Sequence, residues 1–435
     1  MSPDRGKAGD RSLVAQIKRR STNFPTMCNG LLLAVALMLV SAHAAEAPKP
    51  RRGEKIIVVN DDGFSAFHSG HYRTVEDLRR QMLAYRDTQV AVLEWCVIAG
   101  SRSNYPSQET ELIGAGMTEF PRRGDKLASE TLQRLAGEGV NTLQVVAGAC
   151  HEAGIGCYAS LRMNGDYPVT MWGGSFPRYA NSTFWWNHPE FRLRDAKGVT
   201  QTKFSFAFPE VREFKLSILR EVAREDIDGI NLDFQRHPDF FGFEEPMAKA
   251  FKSRYGIEAS TVSATDPRWA PLRAEPMTAF VRAVRGILDE AGRHRGRHLG
   301  LSVRIDWKKY ANWGCDIETW LKEGLLDYLV VGQYGKGGYE FDLARFVRMA
   351  RGSGCAVLFG EEAIVDGHDR TAEEDRLIAA GKMKPPPSTL LTREQYESRA
   401  VRWYAAGADG LHLFNETRRE LLMGLGDVKA VRGKP

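Results

Sequence analysis

The chain has 435 residues, 43% of them apolar and 26% charged, with a formal net charge of +5. That balance excludes collagen-like and low-complexity chains, and the modest charge lies far from a nucleic-acid-binding profile. Six cysteines without a CxxC spacing supply neither a zinc nor a redox motif, so no metal and no cofactor is expected.

The first residues read as a leader. Lys18-Arg19-Arg20 precedes the apolar run Leu31–Val40, and Ala42-His43-Ala44 follows as a small-x-small cleavage pattern. The run is too short for a bilayer span, which takes about 20 residues. Residues 1–44 therefore read as a signal peptide, 45–54 as a linker and 55–435 as the folded domain of a secreted or periplasmic protein. Of the five cysteines beyond the leader, most sit in apolar patterns and read as small buried hydrophobes.

Eight short apolar runs follow in order: Ile56–Asn60, Val90–Trp95, Gly156–Met163, Gly229–Asp233, Leu299–Ile305, Tyr328–Gln333, Ala356–Phe359 and Gly410–Phe414. Between them the period changes to helical over Val75–Tyr85, Asn141–Ala153, Val211–Glu225, Pro276–Ala291, Ile317–Glu323, Leu343–Ala350 and Arg393–Ala406. Alternation of this kind predicts an α/β fold with a parallel sheet, and eight repeats predict a closed (β/α)8 TIM barrel. No G-x-G-x-x-G follows the first strand, which removes the main support for a dinucleotide-binding sheet. A long insertion, Asn164–Pro209, follows the third strand and carries Tyr167, Trp172, Phe176, Tyr179, Phe184, Trp185 and Trp186. Its aromatic load argues for an ordered roof over a substrate groove. A second insertion, Val365–Thr392, reads either as a lid or as a surface excursion.

The fourth strand, Asp228-Gly229-Ile230-Asn231-Leu232-Asp233, turns Ile230 and Leu232 toward the helices and Asn231 and Asp233 into the barrel. Asp233 then stands at the C-terminal mouth, where barrel enzymes build their sites. A carboxylate there can act as nucleophile, acid/base or stabiliser of oxocarbenium charge, and glycosidic cleavage needs a second carboxyl opposite. Glu362 ranks first as that partner, then Asp306, then Glu361. Other strand ends supply Asp62, Glu94, Arg162, Asn164, Asn231, Arg304, Trp307, Gln333, Tyr334 and Asn415 as candidate sugar-binding groups, with Trp185 and Trp186 as stacking platforms. Arg162, Arg236, Arg304 and Lys203 favour an acidic glycan.

The run Asp228–Pro238 resembles the D-G-hydrophobic-x-L-D-aromatic-x-R-aromatic-P motif of the family-10-like glycosyl hydrolases, exported barrel proteins, with His237 in place of the usual aromatic. Ser160-Leu161-Arg162-Met163-Asn164, Asp316–Trp320 with Glu323–Tyr328, and Leu413-Phe414-Asn415 are similar to bacterial members. Asp306-Trp307 departs from that pattern. The resemblance implies a (β/α)8 fold, Asp233 in the site, and hydrolysis of a polysaccharide such as cell-wall glycan. The expected partner is thus a polysaccharide or oligosaccharide, with no nucleic acid and no membrane after leader cleavage.

Two rivals stand beside this reading. A barrel without catalytic power would bind glycan only, its Asp233 paired with Arg or Lys alone. Asn60-Asp61-Asp62-Gly63 resembles the metal site of SurE-type phosphatases, in which Asp61 and Asp62 would share one divalent ion.

Overall fold

The computed structural model describes residues 54–236, 238–333, 341–362, 364–366, 372–385 and 389–432. Residues 1–44, expected as a leader, lie outside them, as does all of the expected linker but Glu54. Eight strands close a parallel barrel: β1 (Ile56–Asp61), β2 (Val90–Ile98), β3 (Gly156–Arg162), β4 (Gly229–Asp233), β5 (Gly300–Asp306), β6 (Tyr328–Gly332), β7 (Ala356–Glu362) and β8 (Gly410–Phe414). Each pairs with its sequence neighbours, and β1 closes on β8 through Ile56↔Gly410 to Asn60↔Phe414. This is the (β/α)8 TIM barrel that the alternating pattern predicts.

The strands begin with a repeated device. Asp228, Asp327 and Asp409 stand just before β4, β6 and β8. Their carboxylates accept the backbone N–H groups of Cys157, Leu301 and Val357 on the preceding strands, at 2.8, 2.7 and 2.8 Å. Each acid satisfies a donor that the edge of the barrel floor would leave bare. Two of the glycines serve close packing: a Cβ on Gly229 or Gly300 would run into the Tyr158 ring, which fills the barrel floor and stacks on Tyr328 at 5.9 Å.

Side chains inside the barrel form layers. Val58, Val92, Tyr158, Val330 and Leu358 make an apolar floor. Above it lies a buried polar layer of Asn60, Glu94, Ser160, Asn231, Ser302 and His412. Higher still, the odd-even alternation brings Arg162, Asp233, Arg304 and Glu362 to the mouth. The larger apolar core lies between strands and helices and holds Trp95, Trp320 and Trp403. All five cysteines of the described residues are free and buried, as the apolar patterns suggested.

The helices match the predicted spans closely, with one correction. The helix expected to start at Pro276 begins at Trp269 and runs to Arg295, with Pro276 inside it. Proline costs a helix interior a hydrogen bond, but the turns before it are tied down by tertiary contacts. Trp269 is buried there, and Arg273 donates to the Asn312 and Ala264 carbonyls. Helices Arg123–Gly137 and Glu245–Tyr255 were not anticipated.

The insertion after β3 folds into short helices, Ser175–Ala180 and Thr183–Asn187, and a hairpin of Arg192–Arg194 with Thr200–Phe204. Its aromatics join the main core: Phe184 stacks on Phe214 of the following helix at 4.3 Å, and Tyr167, Trp172 and Phe176 pack edge to face. Within the second insertion, Ile364–Asp366 pairs with Thr389–Leu390, and Ala372–Ala379 is helical. Among the described residues, no helix is long and apolar enough to cross a membrane.

Candidate active site

Asp233 ends β4 with its side chain inside the barrel mouth, only 2% exposed. Its Oδ1 accepts the backbone N–H groups of Gln235 and Arg236 at 3.0 and 3.1 Å, the turn a carboxylate can cap at a strand end. Its Oδ2 faces Arg304 Nη1 at 3.4 Å, and Arg304 Nη2 donates to Glu362 Oε1 at 2.7 Å. One guanidinium thus stands between the two carboxylates and brings both to the same mouth, as a pair flanking a glycosidic bond requires.

The charges around the mouth alternate. Arg162 Nη2 lies 4.0 Å from Asp62 Oδ2, and Arg236 Nη1 lies 3.8 Å from Glu362 Oε1. Asp62, Arg162, Asp233, Arg304, Glu362 and Arg236 thus match three carboxylates to three guanidiniums. Burial works to raise the Glu362 carboxyl, but Arg304 and Arg236 outweigh it and hold it below the ordinary value. Burial likewise raises Asp62, and Arg162, Ser65 and nearby backbone N–H groups bring it below the usual range. Among the described residues, the carboxyls raised above their ordinary values are Asp61, Asp166 and Glu361, and their partners place all three away from this ring. Burial pushes Asp61 up to about 6 and Glu361 up to about 7.

The rim completes the site. Asn415 is exposed and left-handed, at φ 52°, a conformation Asn tolerates. Its Oδ1 accepts from Asp62 N at 2.8 Å, and its Nδ2 donates to Asp62 Oδ2 at 3.2 Å. Trp307 is half-buried and lies flat on Phe341, with ring centroids 5.4 Å apart. Gln333 is half-buried, and its carbonyl accepts from Gln235 Nε2 at 3.0 Å. Asp306 is 3% exposed, and its Oδ1 caps a turn through Lys308 N and Lys309 N. Tyr334 lies outside the described residues.

Several expected site residues are instead structural. Glu94 lies one layer below the mouth, fully buried, bonded to Ser302 Oγ at 2.6 Å, His412 Nε2 at 2.9 Å and Asn60 Nδ2 at 3.2 Å. Asn231 belongs to the same layer, accepting from Ser160 Oγ and donating to Ser302 Oγ. Both sit one strand step too deep to touch a ligand at the rim. Asn164 ties the insertion down, bonding the backbone of Phe204 and the carbonyl of Asp239. Trp185 is no platform: it is fully buried, with Arg192 over its ring at 3.5 Å and its Nε1 on the Thr202 carbonyl. Trp186 is 39% exposed and keeps a free face.

The geometry also removes the shared metal site. Asp61 faces outward, taking the Tyr72 hydroxyl at 3.0 Å, while Asp62 faces the mouth. Their partners lie on opposite sides of the barrel wall, so these two acids do not converge on one ion. Among the described residues no cluster of His, Cys, Asp or Glu is arranged to hold a metal. Glu361 is likewise outward, paired with Arg399 at 2.6 Å.

Sequence reasoning missed Gln235 and Phe414 beside the mouth and His412 in the layer below it. The last two carried a signal, since alternation from Gly410 places His412 and Phe414 on the inner face.

Residues 175–344 match the family model described as glycosyl hydrolase-like 10. This is the family whose motif the Asp228–Pro238 run resembles, and the match takes in β4, β5 and β6. No curated protein matches the chain. Similar solved structures include the catalytic domain of the beta-amylase from Paenibacillus polymyxa, at 12% identity over 88% of this chain and 99% of that one, with a TM-score of 0.48. A glycoside hydrolase family 18 N-acetylglucosaminidase from Paenibacillus barengoltzii is similar at 12% identity over 88% of this chain and 100% of that one, TM-score 0.41. A plant class V chitinase mutant from Cycas revoluta is similar at 10% identity over 87% and 100%, TM-score 0.43.

Proposed function

We propose that the protein is an exported glycoside hydrolase acting on a polysaccharide, with Asp233 and Glu362 as its carboxyl pair. The observation that carries this reading is the meeting of those two acids on Arg304 at the C-terminal mouth of the barrel, together with the glycosyl hydrolase-like family match over β4 to β6. Asp233, capped by two backbone N–H groups, is the carboxyl group that faces developing positive charge at the anomeric carbon. Glu362 is the more accessible acid, with 20% of its side chain exposed, and exchanges the proton with leaving group or water. Sugar hydroxyls that take over the hydrogen bond from Arg304 and draw Arg236 away loosen Glu362 from its guanidiniums and raise its carboxyl toward a proton-donating range. Asp306, with one oxygen spent on its turn, serves as a support of the rim. Export rests on the leader-like residues 1–44.

The mouth also bears on substrate charge. Arg162 and Arg304 are matched by Asp62, Asp233 and Glu362, so they supply little excess positive charge. A neutral polysaccharide suits this balance better than a uronic or sulfated one.

A specific observation favours a second reading, a glycan-binding barrel without turnover. Both central carboxylates rest on guanidiniums, and Glu362 is held below its ordinary pKa rather than above it. Incubating the protein with a panel of neutral and acidic polysaccharides, and following new anomeric signals by NMR, separates the two. New reducing ends support the hydrolase. Tight binding with no product from any member of the panel supports the binder.

A further inference from the structure

Beneath the Asp233–Arg304–Glu362 bridge the inner wall is bare over two strands. β6 and β7 present Gly332 and Gly360 there, and a Cβ built on Gly360 would lie 3.6 Å from the Gly332 Cα. Three buried side-chain atoms next to this stretch have no hydrogen-bond partner among the described residues: Gln235 Oε1, Arg304 Nε and His412 Nδ1. Their residues are 1%, 0% and 0% exposed. Gln235 Oε1 stands over Gly332, where an added Cβ would come within 2.6 Å of it. His412 is the register partner of Gly360 on the neighbouring strand. Arg304 reaches across to Glu362, two residues beyond Gly360, and its guanidinium lies 5.5 Å from the ring of Phe414, two residues beyond His412. The loop after β4, β5 and β8 thus each carry one unpartnered buried atom on the inner side of the barrel around Gly332 and Gly360.

Buried polar atoms are as a rule partnered, by protein or by ordered water. The roles of these three fit one occupant. Arg304 Nε–H only donates. Gln235 Oε1 only accepts, because its Nε2 donates to the Gln333 carbonyl and so fixes the amide orientation. His412 Nε2 is bonded to Glu94 Oε2 at 2.9 Å, which leaves Nδ1 as the ring's one open hydrogen-bonding atom. The occupant must accept from Arg304, donate to Gln235 and meet His412 Nδ1 in whichever role that nitrogen takes. One water can do all three, and a buried water makes about three such bonds.

We propose that Gln235, Arg304 and His412 hold one buried water beneath the two mouth carboxylates, and that this water fixes the roll of the Arg304 guanidinium. The spacing of Asp233 and Glu362 follows from that roll, which makes Gln235 and His412 positioning residues. The catalytic consequence rests on the hydrolase reading, but the site itself is testable without substrate.

A crystal structure of the whole protein at a resolution that shows ordered water tests the site directly. The expected result is a single solvent peak within hydrogen-bond distance of all three atoms. A dry space, or a protein side chain filling it, overturns the proposal. The positioning role is tested by following the Glu362 carboxyl by 13C NMR against pH, without substrate. Glu362 is faced by Arg304, Arg236 and His412. In Gln235→Met, and separately in Gly332→Ala, which pushes Gln235 aside while keeping every polar side chain, Arg304 loosens and the Glu362 midpoint rises by about one unit. Folded variants whose Glu362 titrates as in the native protein refute the positioning role. A protein that shows the water and the shift yet cleaves nothing leaves this site standing and removes only the hydrolase reading.

Discussion

Asp233 of β4 and Glu362 of β7 meet on a single guanidinium, although three strand positions separate them around the barrel. Arg304, which joins them, is fully buried. Two acids share the mouth because that one cation compensates both, and a buried charge left alone is heavily penalised.

Removing the cation should therefore be costly. Arg304→Leu is expected to lower the unfolding free energy by about 3–5 kcal/mol, the range for breaking a buried ion pair from one side. Arg304→Lys keeps the charge but offers a point rather than a fork, so it bonds one acid well and loses part of that stability. Urea denaturation of the three proteins measures this, and equal midpoints would show that the bridge is not energetically used.

Glu361, buried on the outer face of β7, gives a pH signature with a definite sign. Its carboxyl is pushed up to about 7, chiefly by burial and against the pull of Arg399. A group raised in the folded state stabilises fully below its unfolded pKa and loses that contribution as pH rises through the folded one. Stability should fall between about pH 4.5 and pH 7, by roughly 3 kcal/mol for this group. Asp61, raised to about 6 by burial and by Asp62, adds to the same slope. Thermal unfolding from pH 5 to 8 is expected to show a shallower decline in Glu361→Gln than in the native chain; parallel curves would contradict the assignment.

The two adjacent tryptophans of the insertion should behave differently. Trp185 is fully buried against Arg192, so Trp185→Ala leaves a large cavity and costs about 3–5 kcal/mol. Trp186, 39% exposed, should tolerate Ala with little change in stability. Any loss of polysaccharide affinity belongs to Trp186 alone. Calorimetric unfolding beside a glycan-binding assay distinguishes them, and a stable Trp185→Ala protein would show that Trp185 does not hold the insertion to the core.

Much of the barrel was legible because strand alternation and helical period are set by local pattern. The eight runs agree with the eight strands to within three residues at any end, and the inward phase of Asn231 and Asp233 follows from side-chain alternation alone. Depth was not legible. Glu94 and Asn231 have the right phase but sit one layer below the rim, and only the register between strands tells a rim acid from a buried one. Trp185 and Trp186 are neighbours in the same loop, and which of them is buried depends on how the insertion packs against Arg192 and Phe214. The pairing of Glu362 with Arg304 joins residues far apart in the chain, which no local pattern encodes. His412 and Gln235 were overlooked because their importance lies in what they lack, a partner for one buried atom each.

The most direct test compares native protein with Asp233→Asn on a polysaccharide the native protein cleaves, reading both turnover and binding. Turnover should drop by at least about 10²-fold while affinity and thermal stability stay close to native, since the amide keeps the shape and loses the charge. Native-like turnover in the amide variant would contradict the placement of Asp233 at the reaction centre.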